Sequence, residues 1–208
     1  MRIQNETKFL QGKVALVAGA TRGAGRAIAV ELARSGAFVY ATGRSSRQHG
    51  PSEMGRRETI EERGDLMRLA GGDGQALRID HLELEQVQWL RQLIEAEKGR
   101  LDILVNDMFG GDRYAQWDTP LWQHDVFGGL RMLRMGIDTH LITLHEAIPL
   151  LLHSTNGLII EMTDGTATYN ARFRKNVGFY YDLVKASVGR IVIGLAAELS
   201  ISSARHWT

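Results

Sequence analysis

The chain of 208 residues has no cysteine, which excludes disulfides, thiol nucleophiles and cysteine-ligated zinc and makes a reducing compartment, the cytoplasm, the expected setting. Proline is scarce, with only Pro51, Pro120 and Pro149. An excess of one charge is also missing. Lysine and arginine number 25 against 24 aspartates and glutamates, so no whole-chain field draws nucleic acid or an anionic membrane. The basic residues come without a series of aromatics on which bases could stack, a further argument against nucleic acid. The seven histidines offer no metal set, because His140 and His145 lie five apart and diverge on a helix. At the start, Met1 to Gln11 is polar with both charge signs, so neither a secretion signal nor a membrane span is expected there.

What is present is an apolar content of 44% in a length suited to one substantial domain, expected over residues 1–208. Val14 to Ala18 is a short apolar run that stops at a glycine-rich turn, the pattern of a strand buried on both faces of a parallel sheet. Arg26 to Ser35 then places Ile28, Ala29, Leu32 and Ala33 at helical spacing before Gly36. Further strands are expected at 37–42, 75–79, 101–105 and 157–162, with helices at 59–70, 84–98, 130–152 and 177–199. Five strands alternating with helices predict an α/β fold: a doubly wound, Rossmann-like parallel sheet with helices on both faces. Ser45 to Arg57, rich in glycine, serine and arginine, reads as a mobile basic loop. Gly110 to Gly129, with Trp117, Trp122 and Phe127, reads as a lid or packing flap.

Gly19-Ala20-Thr21-Arg22-Gly23-Ala24-Gly25 lies between strand and helix, where the N–H groups of a helix start and its positive dipole end suit a pyrophosphate. Alone, such a turn equally serves tight strand-to-helix geometry. Tyr181 and Lys185 are four apart on a helix and share one face, so the ammonium can approach the phenol and draw its pKa down from about 10. That is the property wanted of a proton donor and acceptor in alcohol or carbonyl chemistry.

The glycine spacing G-x-x-x-G-x-G resembles that of the short-chain dehydrogenase/reductase family. Ala18 stands where the family's threonine opens the motif. The resemblance continues through Asp80, with His81 beside it, at the adenine-side aspartate, and through Asn106 at the start of the N-N-A-G motif, from which Asp107, Met108 and Phe109 depart. It ends at Tyr181-Asp182-Leu183-Val184-Lys185, matching Y-x-x-x-K. The resemblance implies that Tyr181 is the acid/base and that Lys185 tunes it and binds the cofactor ribose. Asp164 falls at the family's serine, with Thr163 and Thr166 as nearby hydroxyls, so Thr163 or Asp164 is expected to polarise the substrate. The family's relay asparagine falls near Gly136, with Asp138 close by.

Gly43 stands where an NAD-selective site carries an acid, and Arg44 follows while Arg22 projects from the glycine turn, so NADP(H) is the expected cofactor. The alternative is that both arginines are solvated. The implied activity is hydride transfer between the nicotinamide and a carbonyl or alcohol; the second reading is a catalytically impaired, nucleotide-binding or oligomerising homologue. Relatives continue through two more strands and a proline-glycine segment, whereas this sequence runs through Ser200 to Thr208 without them, so the sheet is expected to lack its last strands. Leu133, Ile137, Leu141 and Leu144, and Val184, Val188, Ile191 and Leu195, form apolar stripes that the resemblance assigns to a homodimer or homotetramer.

Overall fold

The computed structural model describes residues 8–204. The expectations for the polar start and for the ending fall partly on residues 1–7 and 205–208, which lie outside the described residues. Five strands are present: β1 (Val14–Ala18), β2 (Phe38–Gly43), β3 (Asp73–Arg78), β4 (Ile103–Asn106) and β5 (Leu158–Glu161). The helices are α1 (Gly23–Arg34), α2 (Glu61–Leu69), α3 (Leu84–Lys98), α4 (Val126–Leu133), α5 (Thr139–Leu151), the single turn α6 (Ala167–Asn170) and α7 (Phe179–Ala204).

The sheet order is β3-β2-β1-β4-β5. β1 pairs in parallel with β2, Val14 opposite Phe38, and with β4, Ala15 opposite Ile103. Every residue of β1 is buried, as its unbroken apolar run requires of a central strand covered on both faces. α1 packs on β1, β2 and α2, while α3 packs on α5 and α5 on β4. The expected doubly wound α/β architecture is therefore the one observed. Chain order reverses between β1 and β4, and in open α/β sheets the crevice beyond the carboxyl ends at such a point is where ligands bind.

The described residues form two compact units. One holds the chain up to Met108 together with Thr139–Ile160, and contains the sheet with α1, α2, α3 and α5. The other holds Phe109–Asp138 and the chain from Glu161 onward, with α4, α6 and α7.

Local chemistry sets the ends. Gly99 closes α3 in the left-handed conformation (φ 70°), and the Asp125 carboxylate caps α4 by accepting from the N–H groups of Phe127 and Gly128. The long helix expected over 130–152 is broken into α4, a π-helical segment Arg134–Asp138, and α5. Position 136 in that segment has no room for a side chain, because a Cβ there would run into Val184 Cγ1. In the loop after β2 the Ser46 N–H donates to Gly50 O (3.1 Å) and the Ser52 N–H donates to Ser45 Oγ (3.0 Å).

Candidate functional site

The residues singled out in the sequence gather into two clusters, one in each unit. In the sheet-containing unit, the turn Gly19–Gly25 leaves β1 and opens α1. Gly19 (φ 91°) and Gly23 (φ 60°) take conformations that disfavour side chains, and a Cβ on Gly19 would collide with the Asp107 carbonyl. A Cβ on Gly25 would stand 2.6 Å from Gly19 O, whereas nothing lies within 4 Å of the corresponding point on Gly23. The turn is thus tight on its inner side and open at Gly23, the shape a backbone needs in order to approach a phosphate, and the first-turn N–H groups of a helix have no carbonyl partner in their own helix. These residues fit a dinucleotide. One anion is already at hand: the Asp107 carboxylate accepts from the Gly25 N–H at the start of α1.

Asn106 ends β4 opposite Ala18 and is completely buried. Asp80 Oδ1 accepts from the Leu82 N–H (3.0 Å), and Asp80 Oδ2 lies 3.8 Å from Arg44 Nη1. The His81 imidazole is buried between Thr42 Oγ1 (2.8 Å) and Thr143 Oγ1 (2.7 Å), so toward a nucleotide His81 offers its backbone. Burial, and secondarily the charge of His140, push its pKa down to about 3, which keeps the ring neutral. Gly43 is glycine for a steric reason: a Cβ there would run into Thr21 Oγ1.

In the other unit, Tyr181 and Lys185 lie on α7 and Thr163 and Asp164 follow β5. Thr163 Oγ1 donates to Lys185 O (3.0 Å). The Tyr181 hydroxyl stands 3.5 Å from Asp164 Oδ2, and Lys185 Nζ stands 4.0 Å from Asp164 Oδ1. Phe109 meets the Tyr181 ring edge-on at 5.5 Å and Trp117 lies at 5.2 Å, although Trp117, like Trp122, is exposed. Tyr180, Met132 and Val184 form the core beneath.

Arg174, which sequence reasoning passed over, organises this cluster. Its buried guanidinium bonds Asp164 Oδ2 through Nη1 (3.0 Å) and Asp182 Oδ1 through Nε (2.8 Å). No periodicity marks it; the signal available was the acid at position 164, which demands a cation nearby. The electrostatic outcome also differs from the expectation drawn from Lys185. The phenol of Tyr181 is pushed up to about 12, by burial first and then by the Asp164 charge, with Arg174 opposing. Lys185 shares its charge with Asp164 and lies 3.9 Å over the Phe109 ring.

The family pattern of the short chain dehydrogenases matches residues 13–201. The chain belongs to that family. Among short-chain dehydrogenases, human Dehydrogenase/reductase SDR family member 1 is 27% identical over an alignment 199 residues long that covers 91% of this chain and 56% of the relative. Two solved short-chain dehydrogenase structures share the fold. A metagenomic short-chain oxidoreductase in complex with NADP has a TM-score of 0.72 at 22% identity, over 92% of this chain and 78% of that one. A 7 alpha-hydroxysteroid dehydrogenase complexed with NADH and 7-oxo glycochenodeoxycholic acid has a TM-score of 0.75 at 22% identity, over 93% and 68%. The chain spans about half, or less, of the length of the curated relatives it matches. Short-chain dehydrogenases are oxidoreductases acting on CH–OH and C=O groups with NAD(P)(H). Among the described residues no helix is long and apolar enough to cross a membrane, and no group of three or more histidines and acids could hold a metal ion.

Proposed function

We propose that residues 1–208 form a single nucleotide-binding domain of an NADP(H)-dependent oxidoreductase acting on a small-molecule carbonyl or alcohol. The observation that carries the reading is the Tyr181 phenol set among Asp164, Lys185, Phe109 and Trp117. NADPH, when bound, supplies the hydride. In reduction the carbonyl carbon gains that hydride and the carbonyl oxygen takes the Tyr181 proton, leaving a phenolate that is reprotonated from solvent. A phenol with a pKa of about 12 is protonated at neutral pH and so carries the proton this step transfers, although a pKa so far above working pH weakens its drive to donate. Phe109 packs edge-on against the phenol ring, while Asp164 and Thr163 are the groups available to orient the substrate oxygen. Lys185 is assigned to the cofactor ribose and to the phenol. Gly19, Thr21, Arg22, Gly23, Ala24 and Gly25 are assigned to the pyrophosphate side, Asp80, His81 and Asn106 to the adenosine side, and Arg44 with Arg22 to the 2′-phosphate.

Oxidation of NADPH over a panel of ketones and aldehydes tests the activity. Tyr181→Phe is expected to abolish turnover while nucleotide affinity stays within about twofold, because only the transferring oxygen is removed. Cofactor fluorescence change without turnover by the unmodified chain would instead support the impaired, nucleotide-binding reading, which the carboxylate at position 164 favours.

The proposal places the protein in the cytoplasm as a homodimer or homotetramer. Its support on α7 is Leu183, Val192 and Ile193, all exposed, whereas Val184 and Val188 of the expected stripe face the core. Light scattering across a dilution series is expected to give at least the dimer mass.

A further inference from the structure

We infer that Glu53 sets how strongly this chain discriminates between nucleotides with and without a 2′-phosphate, by holding a carboxylate on the guanidinium that would receive the phosphate. The inference rests on the nucleotide-binding reading above and deepens it. At the end of β2 no acid can be carried by position 43, because Thr21 Oγ1 fills the space a Cβ would need. A carboxylate nevertheless reaches the next residue from farther along the chain. Glu53 Oε1 lies 2.7 Å from Arg44 Nη1, and both side chains are less than a quarter exposed, at 22% and 23%.

The loop is built to deliver it. Gly50 (φ 74°) and Gly55 (φ 67°) permit turns on either side of Glu53. The Ser52 N–H is tied to Ser45 Oγ at 3.0 Å, and the Gly55 N–H to Ser52 O at 2.8 Å. Asp80 Oδ2 approaches the same guanidinium at 3.8 Å. Arg44 therefore stands between two carboxylates. A 2′-phosphate arriving at Arg44 meets repulsion and must displace Glu53, whereas a ribose carrying only hydroxyls brings no charge to that position and leaves the Glu53–Arg44 pair in place. Glu53 thereby narrows the preference for a 2′-phosphate that Arg44 by itself would confer.

The test uses the full chain and needs no turnover: calorimetric titration with adenosine 2′,5′-bisphosphate and with ADP. Glu53→Gln keeps the shape and an acceptor oxygen while removing the charge. It is expected to bind the 2′-phosphorylated nucleotide about tenfold tighter with ADP unchanged within twofold, the size of exchanging a charged for a neutral hydrogen-bond competitor. In an Arg44→Gln background the same change is expected to have no effect. Equal tightening of both nucleotides, or no change for either while the unmodified chain binds ADP, would overturn the role of Glu53 and leave the nucleotide reading standing. Failure of every variant to bind either nucleotide would overturn both. Glu53→Ala, which also removes the acceptor, is expected to shift binding in the same direction, and a shift in the opposite direction counts against the inference.

Discussion

In the proposed reaction Tyr181 exchanges the proton, and its titration is set by what surrounds it. With the phenol pushed up to about 12, carbonyl reduction is expected to show no Tyr181-dependent fall between pH 6 and pH 10. Alcohol oxidation needs the phenolate and is expected to climb about tenfold per pH unit over the same range, because the phenolate fraction does so below the pKa. Asp164→Asn removes the carboxylate that opposes ionisation, so oxidation at pH 9 is expected to rise by about tenfold while reduction at pH 7 changes little in its pH profile. Initial rates in both directions across pH check this, and an oxidation rate at pH 9 that falls in Asp164→Asn would mean that the orienting role of Asp164 toward the substrate outweighs its effect on the phenol. Arg174 works against Asp164 on the same phenol. Its replacement by Met leaves Asp182 buried without its cation and is expected to cost about 3–5 kcal/mol of stability.

At the scale of elements, Asp102 holds neighbouring pieces of the sheet unit together. Its carboxylate accepts from the Val14 N–H at the start of β1 (2.9 Å) and from Ser154 Oγ in the turn between α5 and β5 (2.7 Å), and it pairs with Lys13 and Arg100 at 3.2 Å each. Asp102→Ala strands those donors and is expected to destabilise the fold by about 3 kcal/mol, read as a lowered urea midpoint with unchanged slope. The alternation of apolar runs with helical spacing made the strands and helices legible, and β1 and α3 occupy the expected residues because a fully apolar run and an αL glycine are local signals. The close approach of Gly136 to Val184 in the π segment was not legible, since it joins residues 48 positions apart. Nor was the Glu53–Arg44 pair, because a loop of mixed composition carries no period from which a partner can be read. Gly19, Tyr181 and Lys185 were legible as positions of the family's motifs, but the rise of the Tyr181 pKa depends on burial, which spacing does not convey.

For the molecule as a whole, stability is bounded by groups of opposite behaviour at the two ends of the pH scale. His81, with a folded pKa of about 3 against about 6.5 in an unfolded chain, binds its proton more readily when unfolded. Its contribution is therefore complete above pH 6.5 and is lost as pH falls toward 3, at up to about 1.4 kcal/mol per unit. Burial raises the pKa of Asp102, but hydrogen bonds from Ser154, Val14 and Lys13 outweigh it and hold the carboxyl below its ordinary value. Its contribution is present above about pH 4 and disappears as pH falls through its depressed folded pKa. On the alkaline side the raised pKa of Tyr181 makes the unfolded chain release its proton first, so stability declines from about pH 10 to pH 12. Between these limits, from pH 6.5 to 10, these three groups leave stability flat. Urea midpoints at pH 8, 5.5 and 4.5 are expected to fall in that order, and His81→Gln, which keeps a hydrogen-bonding group between Thr42 and Thr143 without a titrating ring, is expected to flatten most of the fall even where its absolute stability is lower. An unmodified chain and a His81→Gln chain losing stability in parallel over that interval would show that the acid sensitivity resides elsewhere in the molecule.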